Sequence, residues 1–127
     1  MYQNMQKIVK TVFAEQKQRL DDAIAVSEKN PEINSLEKGI EYMQILIDHV
    51  KNRLTSFEER VYALVETNDL LDIIESIECE KASYIATLAL VGTETTKPFS
   101  KLCIDTEYHV ITETADLLIK KLKGGIS

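Results

Sequence analysis

The sequence predicts an all-α protein, an antiparallel up-down-up-down four-helix bundle with long heptad-patterned helices. Three observations carry that expectation. Apolar residues recur at alternating spacings of four and three over long stretches, which is the period of a helix that buries one stripe. Aromatic residues make up 6% of the chain and Trp is missing, so a core must rest on Ile, Leu, Val and Ala. Helix-breaking signals fall at only a few points, leaving segments long enough to be joined by short loops. At 127 residues the chain reads as one helical-bundle domain spanning 1–127, large enough to bury a core without disulfides or metals.

The first helix is expected from about Tyr2 to Glu28, on the stripe Met5, Val9, Val12, Phe13, Leu20, Ala23 and Ile24, with Gln16 interrupting it. Asn30-Pro31 ends it, because proline has no amide hydrogen and pushes the preceding residue out of the helical region. The second helix carries the clearest signal. Leu36, Ile40, Met43, Ile47, Val50, Leu54, Phe57, Val61 and Leu64 alternate four and three without a miss. Asn34 with Glu37 resembles a capping box, so the helix is placed from about Ser35 to Glu66, roughly 48 Å long at 1.5 Å per residue. That long, regular seam also offers a surface for a homodimer.

Thr67-Asn68-Asp69 reads as a tight turn, with Asn68 suited to a left-handed backbone and Asp69 to an N-cap. A third helix from about Asp69 to Val91 turns Leu70, Ile74, Ile77, Tyr84, Leu88 and Val91 inward, and Gly92 is expected to stop it. After "GTETTKP", Pro98 suits the first turn of a fourth helix. There Ile104, Tyr108, Ile111, Ala115, Leu118 and Leu122 form the inner stripe, and Gly124 marks the stop.

Composition excludes several classes of function. A formal net charge of -6, with Lys and Arg scattered among acids, argues against nucleic acid and anionic membrane surfaces as partners. No apolar run approaches the roughly 18 residues that span a bilayer. Cys79 and Cys103 fall in helices of a chain with no secretory leader, so they read as reduced thiols of a cytoplasmic protein.

Candidate chemistry starts from "DTEYHVITE", which sets Asp105, His109 and Glu113 in one row on the fourth helix. The seam of that helix turns the row to its rim or outside, where such a row is a solvated face. Di-iron bundles need a Glu-x-x-His step on each of two helices, and Leu46 and Thr106 stand three residues before His49 and His109. Zinc is as poorly served, since the two Cys and two His lack short paired spacings. Lys81 falls at an inner position, where such side chains snorkel or meet a buried carboxylate.

Two resemblances bear on function. "DHVKNRL" resembles the phosphorylated helix of histidine phosphotransfer domains, with His49 outward by the seam and Lys51 and Arg53 nearby, which implies phosphoryl acceptance at His49. The lysine and glycine that this family sets after its histidine are not so placed. "ITETADLLIKKLKGGIS" resembles the last metal-binding helix of the all-α nucleotide pyrophosphohydrolases of the MazG and phosphoribosyl-ATP pyrophosphatase group, whose pattern is Glu-x-x-Asp. That resemblance implies magnesium held by Glu113 and Asp116, with Glu75 and Glu78 supplying the acidic step of the preceding helix. Folding the third and fourth helices about "GTETTKP" is expected to bring Glu75 and Glu78 level with Glu113. The doubled glutamate of that family's first motif is missing.

The leading reading is a small acidic bundle acting through protein-protein contact, as adaptor, chaperone or regulator, with no cofactor. Its interaction surface is expected on the flank of the second helix that carries Tyr42, Ile45, His49 and Tyr62. The alternative is a magnesium-dependent pyrophosphohydrolase using Glu75, Glu78, Glu113 and Asp116.

Overall fold

Residues 2–125 are described by a computed structural model, in which they form five α-helices and no strand: α1 Tyr2–Lys29, α2 Pro31–Asn34, α3 Gly39–Thr67, α4 Leu70–Glu94 and α5 Pro98–Gly125. The all-α expectation therefore holds. Cross-helix pairs give the directions. Lys17 on α1 reaches Glu58 on α3 at 2.9 Å while Asp21 takes Lys51 at 2.8 Å, so rising numbers meet falling ones. Gln16 meets Thr114 on α5, Lys81 on α4 meets Asp116, and Arg60 on α3 meets Glu80, each consistent with the up-down-up-down course. α1 and α4 form the diagonal pair that does not touch, whereas α3 and α5 contact across the other diagonal.

Local chemistry explains the breaks. Asn30 and Pro31 end α1 as expected, but Pro31 at once starts a single turn of helix, α2, with the Asn30 side chain accepting the Glu32 amide at 2.9 Å. The expected capping box is not formed. Asn34 instead donates its amide to the Glu28 carbonyl, and Leu36 lies outside the helix, 63% exposed. α3 begins only at Gly39, after Lys38 takes a left-handed conformation with φ 61°. Gly39 is required there, since a Cβ would stand 2.5 Å from the Ile33 carbonyl oxygen.

The remaining seam of α3 buries Ile47, Val50, Leu54, Phe57 and Val61, then Val65 in place of Leu64. A straight helix with 3.6 residues per turn drifts against a strict heptad, so one end of a long seam is passed to the neighbouring residue. At the other joint Asp69 caps α4 as expected, accepting the Asp72 amide at 2.9 Å, but Asn68 is extended, with φ -128°. Gly92 does not stop α4, which runs on to Glu94, and Val91 is 40% exposed. Gly124 likewise lies within α5. Ile126 and Ser127, the end of the "ITETADLLIKKLKGGIS" run, lie outside the described residues.

The core is aliphatic around one aromatic contact, Phe13 edge-on to Phe57 with ring centroids 5.4 Å apart. One polar layer crosses it. Gln16, which breaks the stripe of α1, is buried and donates to Thr114 Oγ1 at 3.0 Å, while Thr114 donates to the Val110 carbonyl and Arg19 donates to the Gln16 oxygen. Thr114→Val keeps the shape but leaves the Gln16 amide unsatisfied, and is expected to cost about 1–3 kcal/mol in urea unfolding, with Thr114→Ser costing less. A cost within a few tenths of that for a surface substitution would show that the layer is not formed.

Candidate functional site

The four carboxylates expected at a metal centre are brought together only pairwise, Glu78 and Asp116 lining one depression and Glu113 and Asp116 another. Glu113 turns toward α1 and pairs with Arg19, Asp116 pairs with Lys81 at 2.5 Å, and Glu75 and Glu78 remain exposed on α4. Among the described residues no three His, Cys, Asp or Glu side chains lie close enough to share a metal ion. Register is the cause. Asp116 stands beside Lys81, about two helical turns from the residue that folding about "GTETTKP" would set there, so Glu78 lies level with Ile119 and not with Glu113.

The flank expected to carry Tyr42, Ile45, His49 and Tyr62 is not one face. Residues 42 and 62 are twenty apart, which at 100° per residue places them on different sides of α3. Tyr62 is half-buried against the core, and burial first, then the charge of Glu58, pushes its phenol above the ordinary tyrosine range. Tyr42 and Ile45 are exposed, at 49% and 48%. Tyr42 leans on Phe99 of α5, ring centroids 5.1 Å apart.

His49 is not an outward residue but half-buried toward α5, where its Nε2 stands 2.5 Å from Glu107 Oε1. Arg53, one turn on, brings its Nε within 3.6 Å of the same oxygen. Lys51 points the other way, to Asp21. Glu107 is the buried member of this cluster, its side chain 5% exposed. Sequence reading missed it, although the signal was present: Glu107 lies three after Ile104 and four before Ile111, a seam position that Tyr108 was expected to fill. A carboxylate there survives burial because the His49 ring nitrogen bonds it and the Arg53 cation stands within 3.6 Å.

A second feature runs along the outer side of α4 and α5. Leu88, Ala89 and Gly92 face Ile104, Tyr108 and His109 across an open groove of about 420 Å³. Asp105 and His109, from the "DTEYHVITE" row, line this groove, while Glu113 leaves it for Arg19. Farther down, Ile85 and Lys81 face Asp116 and Ile119 across a further depression of about 440 Å³. The α4 wall has no charged residue from Ala82 to Thr93, yet Ala82, Ala86, Ala89, Leu90 and Thr93 are all exposed. An uncharged helical stretch is ordinarily buried on all sides. Leu71, on the same outer side, is 76% exposed.

Both thiols are free, Cys79 exposed and Cys103 half-buried, and burial pushes the Cys103 thiol up, which disfavours its nucleophilic thiolate. No helix among the described residues is long and apolar enough to cross a membrane. Comparison with family models, curated proteins and solved structures finds no match, so the functional reading rests on these two features.

Proposed function

We propose that this protein acts through protein-protein contact, with the outer face of α4 and its groove against α5 as the docking surface and a second copy of the chain as the occupant. The observation that carries the reading is the uncharged run from Ala82 to Thr93, whose outer residues Ala82, Ala86, Ala89, Leu90 and Thr93 are exposed, Leu90 at 63%. Water-facing apolar surface of this length marks a contact site more often than a solvated face.

Charge argues for a second copy. Two chains of net charge -6 repel over most approaches, and least where the meeting surfaces carry no charge. The face is also self-complementary. Antiparallel pairing about a twofold axis near Thr87 and Leu88 sets Ala82 against Thr93, and Ala86 against Ala89, of the second copy. Small residues at those positions let two helices approach closely, while the two Leu90 side chains fall on the same flank. The uncharged stretch from Ala82 to Thr93 is about 18 Å long at 1.5 Å per residue, so the groove against α5 has to supply the rest of the roughly 800 Å² per partner of a stable complex.

Sedimentation equilibrium tests the reading. The wild-type chain is expected to dimerise, and Ala86→Glu or Leu90→Glu to weaken association about a hundredfold in Kd with unchanged helix content, since a glutamate on an exposed helical face costs the monomer little. A monomer at all concentrations, or a dimer insensitive to both substitutions, would overturn the proposal.

A further inference from the structure

The buried Glu107 carboxylate and the half-exposed His49 form a dyad that the docking surface does not use. We infer that His49 is an activated nucleophile, a site that accepts an acyl group from an ester with a hydrophobic acyl part. The geometry supplies each requirement. With Glu107 ionised, the proton shared at 2.5 Å sits on His49 Nε2, which leaves the lone pair on Nδ1. Nδ1 has no hydrogen-bond partner among the described residues, is not buried, and belongs to a side chain that is 38% exposed. A carboxylate holding one imidazole nitrogen fixes the ring orientation and tautomer and so presents the lone pair of the other as a nucleophile.

The surroundings define the substrate class. Ile45 and Tyr42 precede His49 by four and seven residues, so they lie in one row with it on α3, and Phe99 of α5 extends that apolar strip. Both Tyr42 and Ile45 are about half exposed. On the other side, Arg53 approaches Glu107 with Nε at 3.6 Å, and its side chain, 57% exposed, can turn its guanidinium to a developing oxyanion. Acyl chain toward Ile45 and carbonyl oxygen toward Arg53 is therefore the orientation that the row favours.

In the step itself, Nδ1 attacks the ester carbonyl carbon and a nitrogen-carbon bond forms. The carbon-oxygen bond to the leaving group then breaks, and that group departs as its oxyanion. The acyl-imidazolium so formed keeps its Nε2 proton against the Glu107 carboxylate, which offsets the new positive charge. Water then adds to the acyl carbon and the nitrogen-carbon bond breaks, its electron pair returning to Nδ1, which releases the carboxylic acid, neutral His49 and one proton that balances the departed oxyanion. Glu107 acts through His49 and is a positioning residue.

The chain carries its own control in His109, a surface histidine with no carboxylate bonded to its ring. The test is p-nitrophenyl butyrate hydrolysis, followed by nitrophenolate release and by peptide mass spectrometry of trapped acyl-histidine. Expected are turnover abolished by His49→Gln, unchanged by His109→Gln and lowered about ten- to a hundredfold by Glu107→Gln. Arg53→Gln, a change at a side chain 57% exposed, should lower turnover with helix content and cooperative unfolding retained, which keeps the proposal testable if Glu107→Gln fails to fold. Turnover that survives His49→Gln, acyl groups found equally on His109, or no turnover above buffer would each overturn it.

Discussion

Phe57→Ala is expected to be among the most damaging single substitutions in this chain, costing about 3–5 kcal/mol. Phe57 is 1% exposed, meets Phe13 edge-on at 5.4 Å and carries Arg60 over its ring at 5.9 Å. Truncation removes buried apolar surface, leaves a cavity that helices pinned along their length collapse into only partly, and deletes an aromatic pair contributing about 0.5–1.5 kcal/mol by itself. Small domains are stable by only about 5–15 kcal/mol, so the urea midpoint should fall by a large fraction. Leu36→Ala is the matching control. Leu36 and Phe57 occupy the same heptad register in the sequence, yet Leu36 is 63% exposed, and its loss is expected to change stability by under about 0.5 kcal/mol. Equal effects at the two sites would mean that the seam is buried as the sequence alone suggests, and that α3 starts earlier.

The second large effect concerns the buried carboxylate. Replacing His49 and Arg53 together by alanine leaves Glu107 with its side chain 5% exposed and no cation within reach, a loss expected to cost about 3–5 kcal/mol. Glu107→Gln should cost much less, because the stranded groups are then His49 and Arg53, whose side chains are 38% and 57% exposed and can be solvated. This asymmetry distinguishes a buried ionic cluster from a surface pair, for which each removal costs under about 1 kcal/mol. Chemical denaturation of the two variants measures it, and equal small losses would place Glu107 at the surface.

Much of the architecture was legible because helical periodicity, proline and capping residues act locally. Asn30-Pro31, Asp69 and Pro98 each punctuate the chain where short-range chemistry requires. Gly92 and Gly124 misled for the complementary reason, since glycine only weakens a helix by about 1 kcal/mol and packing of the flanking residues outweighs it. The candidate sites were less legible. Glu107 occupies a seam position in a polar guise, and only the approach of His49 and Arg53 from another helix makes that position tenable. The carboxylate cluster inferred from "ITETAD" depended on a loop length and on the rotation of α5, neither of which a one-dimensional pattern specifies.

By itself, then, the sequence determined the helical class, the four long segments and most of the residues that face inward, because periodicity of 3.6 and the hydrophobic effect act on each helix separately. Tertiary structure decided which rims meet. It set Asp116 beside Lys81, Glu113 beside Arg19 and His49 against Glu107, and it left the uncharged side of α4 in water. Those outcomes depend on the axial register and rotation of neighbouring helices, which are fixed by the joint packing of all the helices and by how their connections close.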